Sequence, residues 1–208
     1  MDKIYQVLLF ITVPAAVGIS LLAEDLYHFF YSQSEMGTQV LAHYAPLAIL
    51  FALFSVTAAL LQGIDYQKWV VFSLLAGVLT KAVLNMPLIK LWSVDGAILA
   101  TAIGYLVTIG TNMWVIHGVT NYEKKVVARR ILLIGILTIL MAIAVWGSNT
   151  LLHTLAPADR KMLAFVYSMI GAVVGAVVYV AISYRLGLAQ LLLGDKLDKI
   201  LQKLRLKK

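Results

Sequence analysis

Apolar positions run along this chain in long unbroken blocks, and polar ones are confined to short intervals between them. Six blocks stand out: Ile4 to Ala23, Val40 to Ile64, Trp69 to Ile89, Val94 to Ile116, Ile131 to Leu152 and Met162 to Tyr184. Each reaches or exceeds the ~20 residues a helix needs to cross the hydrocarbon core of a bilayer. At that depth every backbone N–H and C=O must be satisfied inside the protein, which a helix does on its own. The pattern therefore predicts an all-α fold, a polytopic transmembrane helical bundle of about six helices. Beyond Tyr184 the pattern changes. Leu193, Leu197, Ile200, Leu201 and Leu204 recur at helical spacing, with Lys196, Lys199, Lys203 and Arg205 on other faces. This predicts a basic amphipathic helix lying on the inner leaflet.

Two connections are long. The first, residues 24–37, carries Tyr27, Phe29, Phe30 and Tyr31, an aromatic cluster suited to the headgroup zone. The second, residues 117–130, is strongly basic apart from Glu123. It divides the chain into four spans (1–116), a cytoplasmic linker (117–130), two additional spans (131–185) and a cytoplasmic tail (186–208).

Composition narrows the class. Hydrophobic residues make up 62% and charged residues 13%, against roughly 25% charge in a soluble domain. The net charge of +7 is spread over the segments flanking the spans, so it points to anionic lipid at the C-terminal tail rather than to nucleic acid. With the N-terminus inside, 13 Lys and Arg fall on the cytoplasmic side and 3 outside, Lys81 being within a span. The positive-inside rule thus places both termini in the cytoplasm. The chain has no cysteine, which removes disulfides, thiolate metal sites and cysteine nucleophiles. Pro14 within the first block, and Glu24-Asp25 after it in place of a small-residue cleavage site, mark a retained helix rather than a signal peptide.

Chemistry has to come from polar residues within the spans. The ten acidic residues lie at or beyond span ends, and no metalloprotease, phosphate-loop or nucleophile-elbow motif is present. The sequence gives no sign of an enzyme, cofactor or metal site. Lys81 is the clearest intramembrane charge, and such a residue ordinarily faces a bundle interior or a water-filled cavity. Asn85 follows one turn later on the same face, and Pro87 frees the carbonyl of Val83. A cation and an amide so placed can receive a phosphate or a sugar hydroxyl; equally, Lys81 can snorkel while Asn85 bonds a neighbouring helix. His43 is a second candidate for a cavity lining. Thr101, Tyr105, Thr108 and Asn112 step by four, three and four and so form one stripe, which suits either a cavity wall or helix packing. Gly171 and Gly175 make a small-xxx-small match of low specificity.

Several segments taken in order carry more information. They are VPAAVG followed by LAE, the ALLQGIDYQKW turn between the second and third spans, KAVLNMP, and GAILATAIG opening the fourth. In this order they resemble the polysaccharide-transport branch of the multidrug, oligosaccharidyl-lipid and polysaccharide exporter superfamily, in its Gram-positive group of lipid II flippases and spore-cortex membrane proteins. The resemblance covers about residues 8 to 116. It implies about fourteen helices in two lobes of about six that rock about a central cavity, of which this chain supplies the last six. The first lobe, in cis or as a second chain, would then be a partner. The cargo implied is an undecaprenyl-diphosphate-linked saccharide or a peptidoglycan precursor, moved across the bacterial plasma membrane by alternating access. Lys81 and Asn85 match the family's Lys and Asn in the third span; Gln62, Gly63 and Lys68 match its cytoplasmic turn and are expected to be structural. Two alternatives stay open: a drug or cation antiporter of the same superfamily, which would be expected to carry intramembrane carboxylates, and a truncated, non-transporting membrane scaffold.

Overall fold

The computed structural model describes residues 2–31, 35–119, 125–155 and 161–186. The expected amphipathic tail lies outside the described residues, as does part of the basic linker. Seven helices are found among those described: α1 (Asp2–Leu21), α2 (Ala23–Phe30), α3 (Glu35–Tyr44), α4 (Leu47–Gly63), α5 (Gln67–Val119), α6 (Lys125–Leu155) and α7 (Lys161–Arg185). The fold is all-α, and five of its helical stretches are long and apolar enough to cross a membrane.

One of the five is two crossings. At 53 residues α5 would be about 80 Å long if straight, far beyond the ~30 Å of hydrocarbon. Its dihedrals leave the helical region at Trp92 (φ −131°, ψ 20°) and Ser93 (φ 49°, ψ −125°), and the chain folds back there. Ser73 lies beside Asn112, Gly77 beside Gly104 and Thr108, Lys81 beside Gly104, and Gly96 beside Leu88. The residue numbers of these pairs centre on the Trp92–Ser93 break, as an antiparallel hairpin requires. Six crossings result, and the two expected blocks Trp69 to Ile89 and Val94 to Ile116 are the arms of this hairpin.

The turn between α4 and α5 has a matching logic. Tyr66 N–H bonds Leu61 C=O at 2.8 Å and Asp65 N–H bonds Gln62 C=O at 3.2 Å, the paired bonds of a Schellman cap. The left-handed residue of that cap is Asp65 (φ 66°), not the preceding glycine; a Cβ at Gly63 would meet nothing within 4 Å.

Three differences from the sequence expectation follow from local chemistry. The aromatic connection is helical, as α2 and the start of α3. Phe29 packs against Phe165 of α7 with ring centroids 4.6 Å apart and the rings tilted by 34°, while Phe30 and Tyr31 stay exposed. The block Val40 to Ile64 breaks at Ala45 and Pro46 into α3 and α4, because Pro46 has no N–H to give to the carbonyl of Ala42. That carbonyl accepts instead from the Ser20 hydroxyl of α1 at 2.7 Å. Finally, α6 begins at Lys125, within the stretch expected as linker.

The helices pack in a row: the α5 hairpin against α4, α4 against α1, α1 against α6, and α6 against α7, with α2 lying on α7. Leu9 and Phe10 of α1, Ile134, Leu137, Met141 and Val145 of α6 and Tyr179 of α7 form one buried cluster. Ala58 and Leu61 of α4 with Val70, Val115 and Ile116 of α5 form another. The last two spans are therefore docked on α1 through a shared core. Gly171 and Gly175 allow this: an added Cβ would lie 2.7 Å from a Leu22 methyl and 2.7 Å from a Val145 methyl, respectively.

Candidate functional site

The polar candidates separate by depth. Asn112 is fully buried at the junction of α4 and the two arms of α5. Its side-chain oxygen accepts from the Ser73 hydroxyl at 2.6 Å, and its amide nitrogen donates to the Thr57 hydroxyl at 3.2 Å. The Thr57 hydroxyl donates in turn to Phe54 C=O, while the single Ser73 proton lies within reach of both Asn112 Oδ1 and Val70 C=O. Asn112 thus pins three helical segments through one amide. Thr108 is also buried, its hydroxyl donating to Gly104 C=O at 3.0 Å beside Gly77 of the opposite arm. In hydrocarbon, where unpaired polar groups cost several kcal/mol, such a set fastens helices together.

The others sit nearer the surface. Lys81 is exposed on the first arm of α5, with half-buried Asn85 one turn on, whose side-chain oxygen has no hydrogen-bond partner. Thr101 is half-buried, its hydroxyl donating to Ala97 C=O at 2.8 Å. Tyr105 meets Phe51 and Phe54 of α4 at centroid distances of 6.2 and 6.1 Å. The spacing predicted one stripe; the structure divides it, with Thr108 and Asn112 turned into the helix contact and Thr101 and Tyr105 toward its edge. His43 stands at the end of α3, its Nδ1 2.7 Å from Asp95 Oδ1, and both side chains are more than half exposed. Gln62 and Lys68 are exposed around the α4–α5 turn, where Gln62 also supplies one of the capping carbonyls.

A cavity of about 470 Å³ opens elsewhere, between α1, α6 and α7, where it is lined by apolar and small residues including Phe10, Pro14, Gly18, Met141, Gly175 and Tyr179. Above it, Asp25 of α2 is buried and bonds His153 Nε2 of α6 at 3.1 Å. Burial pushes the Asp25 carboxyl above its ordinary range, and His153 and the Asn149 side chain oppose that shift. Tyr179, Ser20, Asp25 and His153 were not singled out by the sequence. Their partners are distant in the chain, and no local spacing announces them. For Tyr179 and Ser20 there was one usable signal, a proline on another helix whose freed carbonyl needs a donor.

Among the described residues no cluster of three or more His, Cys, Asp or Glu able to hold a metal is present. The arrangement provides hydroxyl and amide contacts between helices, and an exposed lysine within a long apolar helix.

Comparison with known proteins finds two similar membrane proteins. The chain is 42% identical over 207 residues to the lipid II flippase MurJ of Bacillus subtilis, a match covering 97% of this chain and 38% of that protein. It is 30% identical over 197 residues to the uncharacterized membrane protein YabM of the same organism, covering 91% of this chain and 36% of that one. The chain thus spans under two fifths of the length of these relatives. No family model and no solved structure matches.

Proposed function

Since the chain matches part of a Gram-positive lipid II flippase along almost its whole length, we propose that it is the C-terminal part of a flippase for a lipid II-like, undecaprenyl-diphosphate-linked precursor in the bacterial plasma membrane. The observation that carries this reading is the 42% identity over 97% of the chain. The six crossings suit it, as they would furnish part of one lobe of an alternating-access transporter. Both termini would lie in the cytoplasm, by the distribution of Lys and Arg. The missing lobe, supplied in cis or by a second polypeptide, would complete the cavity.

Lys81 gives the proposal its chemistry. A charge at membrane depth costs at least ~2.5 kcal/mol if left to hydrocarbon, so the open face bearing it would turn toward protein or a water-filled cleft. There its ammonium would meet the pyrophosphate, with the Asn85 side chain one turn on along the same arm. His43, Thr101 and Tyr105 would extend the same wall.

The test is Lys81→Met and Lys81→Arg in the complete protein, assayed for precursor flipping at matched membrane abundance. Loss of flipping in Lys81→Met with partial retention in Lys81→Arg is expected. Unchanged flipping in Lys81→Met would remove the residue from the site.

A further inference from the structure

On the face of the bundle opposite the described chain ends, two His–Asp pairs join segments far apart in sequence. They differ in what surrounds them. His43 and Asp95 have side chains 54% and 57% exposed, and such a pair is screened by solvent and holds little. Asp25 has a side chain only 2% exposed, with His153 at 33%. The second pair bridges 128 positions, fastening α2 to the end of α6. Around it stand Glu24 on α2, Asn149 on α6 and Tyr167 on α7, whose ring meets the His153 imidazole edge-on at 5.3 Å. His28 follows Asp25 one turn later on α2, and Phe29 of the same short helix packs against Phe165 of α7.

We propose that Asp25 and His153 form a proton-operated clasp that seats α2 on the α6–α7 pair when protonated and loosens that seat when the proton leaves.

The reasoning is a balance of charge. A closed clasp encloses a carboxylate and an imidazole. With one proton on the pair, the enclosed net charge is zero, whether drawn as carboxylate and imidazolium or as carboxylic acid and imidazole. Without that proton a lone negative charge stays buried, with one of its oxygens lacking any hydrogen-bond partner, and burial of an uncompensated charge is costly. Opening α2 returns the carboxylate to water. The closed state therefore binds the proton more tightly than the open one, and closure must respond to pH. The partly exposed imidazole provides the route by which the proton reaches the pair. Since α2 links α1 to α3, the clasp governs whether the outer end of the first crossings moves together with the last two. This holds whatever the cargo, and so does not depend on the flippase reading.

The absence of cysteine makes the test direct. Spin labels placed through Phe30→Cys on α2 and Leu151→Cys on α6, both exposed positions, would report the α2–α6 distance in nanodiscs frozen at about pH 5.5 and about pH 8, on either side of the ~6.5 of a free imidazole. We expect the short-distance population to fall by about twofold or more from the acid to the alkaline sample, in the direction one-proton linkage sets. Asp25→Asn, whose neutral amide can still donate to His153, should hold the short distance at both pH values. His153→Gln should also lose the response, and it carries the decision if Asp25→Asn does not insert. Equal distributions at the two pH values in the unsubstituted pair overturn the proposal. So does a pH response that survives undiminished in either variant.

Discussion

The Tyr179 hydroxyl of α7 donates to the backbone carbonyl of Phe10 in α1 at 2.8 Å. That is the carbonyl Pro14 leaves without its helical partner, since the residue four positions on has no N–H. Ser20 and Ala42 repeat the arrangement for Pro46, at 2.7 Å. At Pro14 and Pro46, two of the three prolines within the apolar blocks, a hydroxyl from another helix supplies the missing donor; Pro87 is the third. Such proline sites are tolerated in membranes for this reason.

The first prediction is a coupling. Tyr179→Phe leaves the Phe10 carbonyl unpaired and should destabilise the fold by about 1–2 kcal/mol. In a Pro14→Ala background the helix regains its own N–H donor at that position, and the same change should cost about half as much or less. Equilibrium unfolding in mixed micelles of the four variants measures this. Additive effects would detach Tyr179 from Pro14.

Ser20→Ala should behave alike with Pro46→Ala, at a lower magnitude of about 0.5–1.5 kcal/mol, typical of hydrogen bonds between membrane helices. Hydrogen exchange at the α3–α4 junction is the sensitive readout, with faster exchange in Ser20→Ala than in the unsubstituted chain.

Asn112 concentrates three helical segments on one amide, so its loss should exceed that of either partner. Asn112→Leu is expected to cost about 1–2 kcal/mol, and Ser73→Ala added to it little more, because the Ser73 hydroxyl still has the Val70 carbonyl. Unfolding of the single and double variants separates this from independent contributions.

The hairpin of α5 depends on close contact between its arms. An added Cβ at Gly77 would lie 2.6 Å from the Gly104 carbonyl and run into the Thr108 side chain. Gly77→Ala should therefore cost about 1–3 kcal/mol through forced separation of the arms. Gly63→Ala, which meets open space, should be neutral or gain about 0.4–1 kcal/mol. Reversal of that order in a thermal unfolding series would contradict the packing described.

Asp25 sets a sign for the pH dependence of stability. Burial raises its carboxyl above the ordinary range, so the folded protein holds that proton more tightly than the unfolded chain. Its contribution is full below the unfolded value and is lost as pH rises through the folded one. Asp25→Asn should thus gain stability relative to the unsubstituted protein on going from acid to neutral pH. Parallel unfolding curves at both pH values would show that the carboxyl is not buried in the ionised form.

Much of this organisation was legible in the sequence. The lengths of the apolar blocks gave six crossings, and the order of VPAAVG, LQGIDYQKW and KAVLNMP carried the likeness to a lipid II flippase that the comparison also finds. Periodicity put Thr101, Tyr105, Thr108 and Asn112 on one stripe, but a stripe does not reveal what stands opposite it. Thr57 and Ser73 do, and they lie on other segments 55 and 39 positions away. The aromatic run at Tyr27 to Tyr31 was legible as interfacial but not as a helix, because its docking surface on α7 lies beyond any local window. The reversal at Trp92–Ser93 was expected as a gap between blocks. That a serine takes the left-handed conformation there was not, since neither glycine nor asparagine marks the place.

The α5 hairpin also bears on biogenesis. Ser73 and Asn112 are polar side chains that hydrocarbon resists, and the Asn112 side-chain oxygen gains its Ser73 donor only once the turn at Trp92–Ser93 has formed. The two arms are best suited to leave the translocon together, already paired. A ribosome stalled after the first arm alone would hold a segment in which Ser73 lacks its Asn112 contact, less well equipped to partition into lipid until the second arm arrives.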